Sequence, residues 1–87
     1  MNLDTQIEIE GIGSVPKREA NDYCDILSTL SAMFDIVDGE YIRRVLEIDE
    51  QEFERYVSKL HSAELIKRDG DNYEITESGN KVLDSLS

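Results

Sequence analysis

A chain of 87 residues carrying 20 acidic and 9 basic side chains has a formal charge of −11, a field that repels polyanions at long range and favours basic partners or plain solubility. Hydrophobic residues at 39% and charged residues at 33% are ordinary for a soluble domain, one small enough to bury only about 60–65% of the surface its unfolded chain exposes. No apolar run approaches the roughly 18–20 residues that cross a bilayer, Met1-Asn2-Leu3-Asp4 has no basic or apolar leader character, and Cys24 alone cannot close an internal disulfide, so a cytoplasmic protein without membrane contact is expected.

Residues 3–9 alternate, with Leu3, Thr5, Ile7 and Ile9 on one side and Asp4, Gln6 and Glu8 on the other. That period predicts a half-buried strand, ended by a turn at Gly11-Ile12-Gly13. The glycine pair lacks the third glycine of a dinucleotide loop and any following Lys-Ser/Thr, so no phosphate loop is read there. Ser14-Val15-Pro16 is expected to open a helix, because proline is tolerated in a first helical turn. Ala20, Tyr23, Cys24, Leu27, Leu30 and Phe34 then recur at helical spacing, with Ile26 and Met33 widening the stripe. Cys24 lies on that stripe as a small buried hydrophobe rather than a reactive thiol.

Asp38-Gly39 interrupts the pattern. A short amphipathic segment follows from Glu40 to Leu46, with Tyr41, Ile42, Val45 and Leu46 apolar and Arg43-Arg44 outward. Asp49 suits an N-cap, with Glu52 three residues on, and Phe53, Tyr56, Val57, Leu60 and Ala63 make the apolar face of the next helix. Two short runs, Glu64–Asp69 and Tyr73–Thr76, flank a turn at Gly70-Asp71-Asn72 and predict a β-hairpin. Thr76 is placed to cap a last helix bearing Val82, Leu83 and Leu86.

Strand, long helix, short helix, second helix, hairpin, helix: this order resembles the winged helix-turn-helix family, most nearly its small MarR- and PadR-like transcription regulators. Tyr41–Ile48 is similar to the first helix of the motif and its turn, and Asp49–Leu60 to the recognition helix. His61-Ser62-Ala63-Glu64-Leu65-Ile66 resembles the passage into the wing, with Glu64 where the family usually has glycine. Tyr73–Leu83 looks like the return strand of the wing and the threonine-capped, glycine-containing start of the last helix. The resemblance covers roughly residues 17–86. It implies an α+β, mostly α fold: a three-helix core, a β-hairpin wing and a short C-terminal helix. Residues 1–16 form an added strand and turn, and 17–87 the winged domain.

The resemblance further implies binding to double-stranded DNA, with the recognition helix in the major groove. It carries the contact positions onto Glu50, Gln51, Glu52, Glu54, Arg55 and Tyr56, with Lys59 reaching phosphate and Arg43, Arg44, Lys67 and Arg68 supplying further cations. The local chemistry points elsewhere: residues 49–54 hold Asp49, Glu50, Glu52 and Glu54 and no base. A second reading is therefore an acidic interaction module, whose recognition helix binds a basic protein surface or imitates the charge of DNA. One merged positive face would favour nucleic acid, and interleaved carboxylates would favour the basic partner.

No enzyme is expected. His61 is the lone histidine, no Cys or second His gives zinc spacing, and no ordered Ser/His/Asp set exists. The acids at 49–54 lack the spacing and central glycine of a calcium loop and suit a helix start, so no metal or cofactor is expected. A homodimer is expected from two features, the pairing of relatives through terminal helices and the strand at 3–9, free to join the wing sheet or pair across a two-fold axis.

Overall fold

The computed structural model describes residues 5–33 and 35–86; Leu3, Asp4 and Phe34 of the expected strand and stripe lie outside them. The elements, in order, are β1 (Gln6–Ile9), β2 (Gly13–Pro16), α1 (Lys17–Met33), β3 (Val37–Asp38), α2 (Gly39–Leu46), α3 (Glu50–Ser62), β4 (Ile66–Asp69), β5 (Asn72–Ile75) and α4 (Glu77–Leu86). A four-helix frame with two small antiparallel sheets results, ordered β1-β2 and β3-β5-β4. This is the winged helix-turn-helix architecture.

The first difference from the sequence reading lies at the N-terminus. Ser14-Val15-Pro16 does not open a helix; it is a strand, with Ile7 opposite Val15 and Glu8 opposite Ser14. β1 therefore takes its partner from a local hairpin and does not join the wing sheet. Ile9 and Val15 are buried in the main core, so the hairpin is packed onto the helices. Gly11, at φ 87°, sits so close to the end of α3 that an added Cβ would stand 2.8 Å from the Ala63 Cβ. Only glycine offers both that backbone and that clearance.

The helix stripes behave as their spacing demands. Ala20, Tyr23, Ile26, Leu27 and Leu30 of α1 are buried against Phe53, Tyr56, Val57 and Leu60 of α3 and Ile42 of α2. Met33, Tyr41 and Val45, expected on apolar faces, are instead exposed at 47%, 45% and 51%. On an eight-residue helix a single buried residue per turn suffices, and Ile42 with half-buried Leu46 fills that place in α2. Cys24 is half-buried rather than fully enclosed, and burial together with Asp25 raises its thiol pKa.

Both motif helices start on aspartate caps. Asp38 accepts from the Glu40 N–H at 2.8 Å, and Asp49 from the Glu52 N–H at 2.9 Å. A strand unforeseen in the sequence precedes α2: Val37 and Asp38 pair with Tyr73 and Asn72, adding a third strand to the wing. The expected hairpin is present, with Ile66 opposite Ile75 and Asp69 opposite Asn72, so Asn72 belongs to the strand rather than to the turn.

Glu64 occupies the left-handed region at φ 63°, a conformation that favours glycine. A residue with a Cβ loses about 1–2 kcal/mol there, partly offset by the greater unfolded-state freedom of glycine. Glu64→Gly should therefore stabilise the fold by about 0.5–1 kcal/mol, raising Tm by roughly 4 °C in thermal denaturation. The exposed side chain can be lost without cost, since the anchoring contact is the backbone carbonyl, which accepts from Thr76 Oγ1 at 2.8 Å.

Candidate nucleic-acid interface

The turn Glu47–Asp49 joins α2 to α3, and Glu47 takes a left-handed φ of 55° so that the chain can reverse within three residues. α3 then projects beside the β4–β5 hairpin. Between α2, the start of α3 and the hairpin runs an open cleft of about 340 Å³, lined by Asp38, Glu40, Arg43, Glu50, Phe53, Glu54, Arg68, Asp71 and Tyr73. Its floor is aromatic: Phe53 and Tyr73 meet edge to face at 5.6 Å, and Gly39 lies so close beneath them that a Cβ would meet the Tyr73 ring. The Arg43 guanidinium lies 6.0 Å from the Phe53 centroid and that of Arg68 5.5 Å from the Tyr73 centroid.

The cleft thus unites Arg43, Glu50, Glu54 and Arg68 of the expected contact residues. Gln51, Glu52 and Lys59 are exposed elsewhere on α3, and Arg44 is exposed on α2. Lys67 and Arg68 are neighbours on β4, and strand alternation sends them to opposite faces of the hairpin. Tyr56 must be withdrawn from the contact set. It is 2% exposed, its ring packs edge to face on Tyr23 at 4.9 Å, and its hydroxyl donates to Asp22 at 2.7 Å. Burial, with that hydrogen bond to Asp22, pushes its hydroxyl pKa far up, so it stays protonated.

The positive charge does not merge into one face. Glu54 holds Arg68 in a two-pronged contact, with Nη1 and Nη2 at 2.9 and 3.0 Å from its carboxylate oxygens. Hydrogen bonding from Arg68 is the main reason the Glu54 carboxyl is held below the usual range, and Ser58 adds to it at 3.0 Å. Arg55 donates to Glu19 of α1 at 2.8 Å while lying 4.9 Å from the Tyr56 ring, and Arg44 pairs with Glu40 at 2.6 Å. Among the described residues, Arg43, Lys59 and Lys67 have no ion-pair partner within 4.0 Å. Spacing in the sequence could not reveal the pairs to Glu19 and Arg68, whose partners lie 36 and 14 residues away.

Among the described residues no group of three or more His, Cys, Asp or Glu is arranged to hold a metal ion, and no helix is long and apolar enough to cross a membrane. Two capped helices joined by a tight turn and flanked by a three-stranded wing define a winged helix-turn-helix protein, a class that generally binds DNA. Residues 21–87 match the family described as winged helix-turn-helix, and the chain belongs to it. No curated protein and no solved structure matches the chain significantly.

Proposed function

We propose that this protein is a DNA-binding transcription regulator. α3 enters the major groove, Glu50 and Gln51 meet base edges, and Arg43, Lys59 and Lys67 contact phosphate, with Arg68 beside them held by Glu54. The observation that carries the reading is the shared face of α2, α3 and the wing, which holds Arg43 and Arg68 beside the exposed start of the recognition helix. Family membership over residues 21–87 and the MarR- and PadR-like stretch support the same direction. Taken alone, the interleaved carboxylates favour a basic partner; family membership is what places DNA first, with the carboxylates lowering affinity without closing the face. Ion pairs at this exposure are worth about 0–1 kcal/mol, so a phosphate can replace a carboxylate at modest cost.

The carboxylates also favour a second reading, an acidic module that docks a basic protein. Asp38, Glu40, Glu50, Glu54 and Asp71 all line the cleft, against Arg43 and Arg68. Enrichment from a pool of random duplexes at low salt separates the two. Recovery of a shared sequence, with a log–log salt slope of about −3 for Arg43, Lys59 and Lys67, supports the regulator. No enrichment and no retention on heparin, with binding to polyarginine, supports the module and removes the first reading.

A further inference from the structure

Resting on the DNA reading, we infer that the candidate DNA face is self-masked: Glu54 and Glu19 occupy the guanidinium groups of Arg68 and Arg55 in the place of phosphate, and these two glutamates set the affinity of the face for DNA.

The geometry around Arg68 is that of a guanidinium already arranged for an anion. Two parallel N–H groups meet two oxygens of Glu54, the arrangement by which arginine also takes phosphate. The guanidinium has supports independent of Glu54: it lies against the Tyr73 ring at 5.5 Å, and its Nε points to the Gly70 carbonyl at 3.5 Å. It would stay in place when the carboxylate leaves. The pair is also reachable, with 30% of the Arg68 and 52% of the Glu54 side chain exposed. It joins the recognition helix to the wing, the two elements a duplex would touch together.

Arg55 of α3 is held differently, by one hydrogen bond to Glu19 at 2.8 Å, with Glu52 3.9 Å from its other terminal nitrogen. Its partner Glu19 comes from α1, and its guanidinium is positioned by the Tyr56 ring beneath it. Each pair cancels one cation that the fold has already placed. A strand of DNA must displace a carboxylate to gain each contact, and the displaced carboxylate remains nearby as a like charge. Both effects lower affinity, and both disappear when the carboxylate is made neutral.

The test is binding of a fluorescent random-sequence duplex, followed by anisotropy across a range of salt, for the full chain and for Glu54→Gln. Glu8→Gln, an exposed change on β1, removes the same formal charge away from the face. Glu54→Gln should bind about three- to tenfold tighter than the parent at low salt and steepen the log–log salt slope by about 0.9, the signature of one more phosphate contact. Glu8→Gln should leave the slope unchanged. In an Arg68→Ala background the Glu54→Gln gain in slope should vanish. If the parent binds and Glu54→Gln behaves like Glu8→Gln, the masking is wrong and the DNA reading stands. If neither the parent nor any variant binds, both are overturned.

Discussion

A Gly79→Ala variant is expected to melt roughly 12–24 °C below the parent, the reverse of what helix propensity alone would give. Alanine inside a helix is ordinarily favoured over glycine by about 1 kcal/mol. At this site the added methyl would run into the Leu65 carbonyl oxygen and approach Ile75 Cγ1 to 2.7 Å. The carbonyl cannot retreat, because it accepts from the Thr76 N–H at 3.1 Å at the foot of the wing. Thr76 in turn caps α4, its hydroxyl accepting from the Gly79 N–H at 3.0 Å. Relief requires lifting α4 from the hairpin, which breaks the cap and uncovers Val82. Overpacking costs about 1–3 kcal/mol, and an obstacle made of backbone belongs at the upper end. Against a total stability of about 4–13 kcal/mol for a chain this size, the loss is large. Ser78→Ala, one residue earlier and exposed, should stay within about 0.5 kcal/mol of the parent. A rise in Tm for Gly79→Ala would show that α4 does not seat on the Leu65 carbonyl as described.

The same cluster explains which parts of the fold were legible beforehand. Thr76 carries a local signal, a helix cap, that the structure uses as read, whereas Gly79 entered only through the family resemblance and its close packing is visible only in the fold. Helix stripes were legible for the same reason: Phe53, Tyr56, Val57 and Leu60 meet at spacings fixed by the helix itself. β2 and β3 were not legible. Val37 and Asp38 form a strand only because Tyr73 and Asn72 arrive beside them, and two residues are too few to display an alternation. Pro16 sent a true signal one position early, since α1 does begin at Lys17, yet the preceding residues pair with β1 instead of leading into the helix.

The candidate site divides in the same way. Its positions followed from the family pattern, but the state of each cation did not, because Glu19 and Glu54 are brought to Arg55 and Arg68 by the tertiary fold. Tyr56 is the instructive error. Its position falls both on the buried stripe of α3 and among the groove contacts that the family pattern implies, and one side chain cannot serve both. Three residues after Phe53 and four before Leu60, its spacing already favoured the core.

Removing that ring should be the most damaging change on α3. Tyr56→Ala is expected to lose about 3–5 kcal/mol, as truncation of a buried aromatic side chain typically does, enough to leave much of the protein unfolded at ordinary temperatures. Two milder substitutions separate the ring from its hydroxyl. Tyr56→Phe keeps the packing on Tyr23 but strands Asp22, which loses a 2.7 Å donor, and should cost about 1–2 kcal/mol in chemical denaturation. Tyr23→Phe makes the same chemical change at a ring 4.9 Å away, where the hydroxyl is buried and has no hydrogen-bond partner among the described residues. Dropping an unsatisfied hydroxyl relieves a desolvation penalty, so this variant should equal or exceed the parent in stability. The opposite signs are the useful result, since volume and hydrophobicity change alike in both. Equal losses would mean that Tyr23 has a partner after all. Equal neutrality would mean that the Tyr56–Asp22 contact does not hold α3 against α1, and the recognition helix would then be positioned by apolar packing alone.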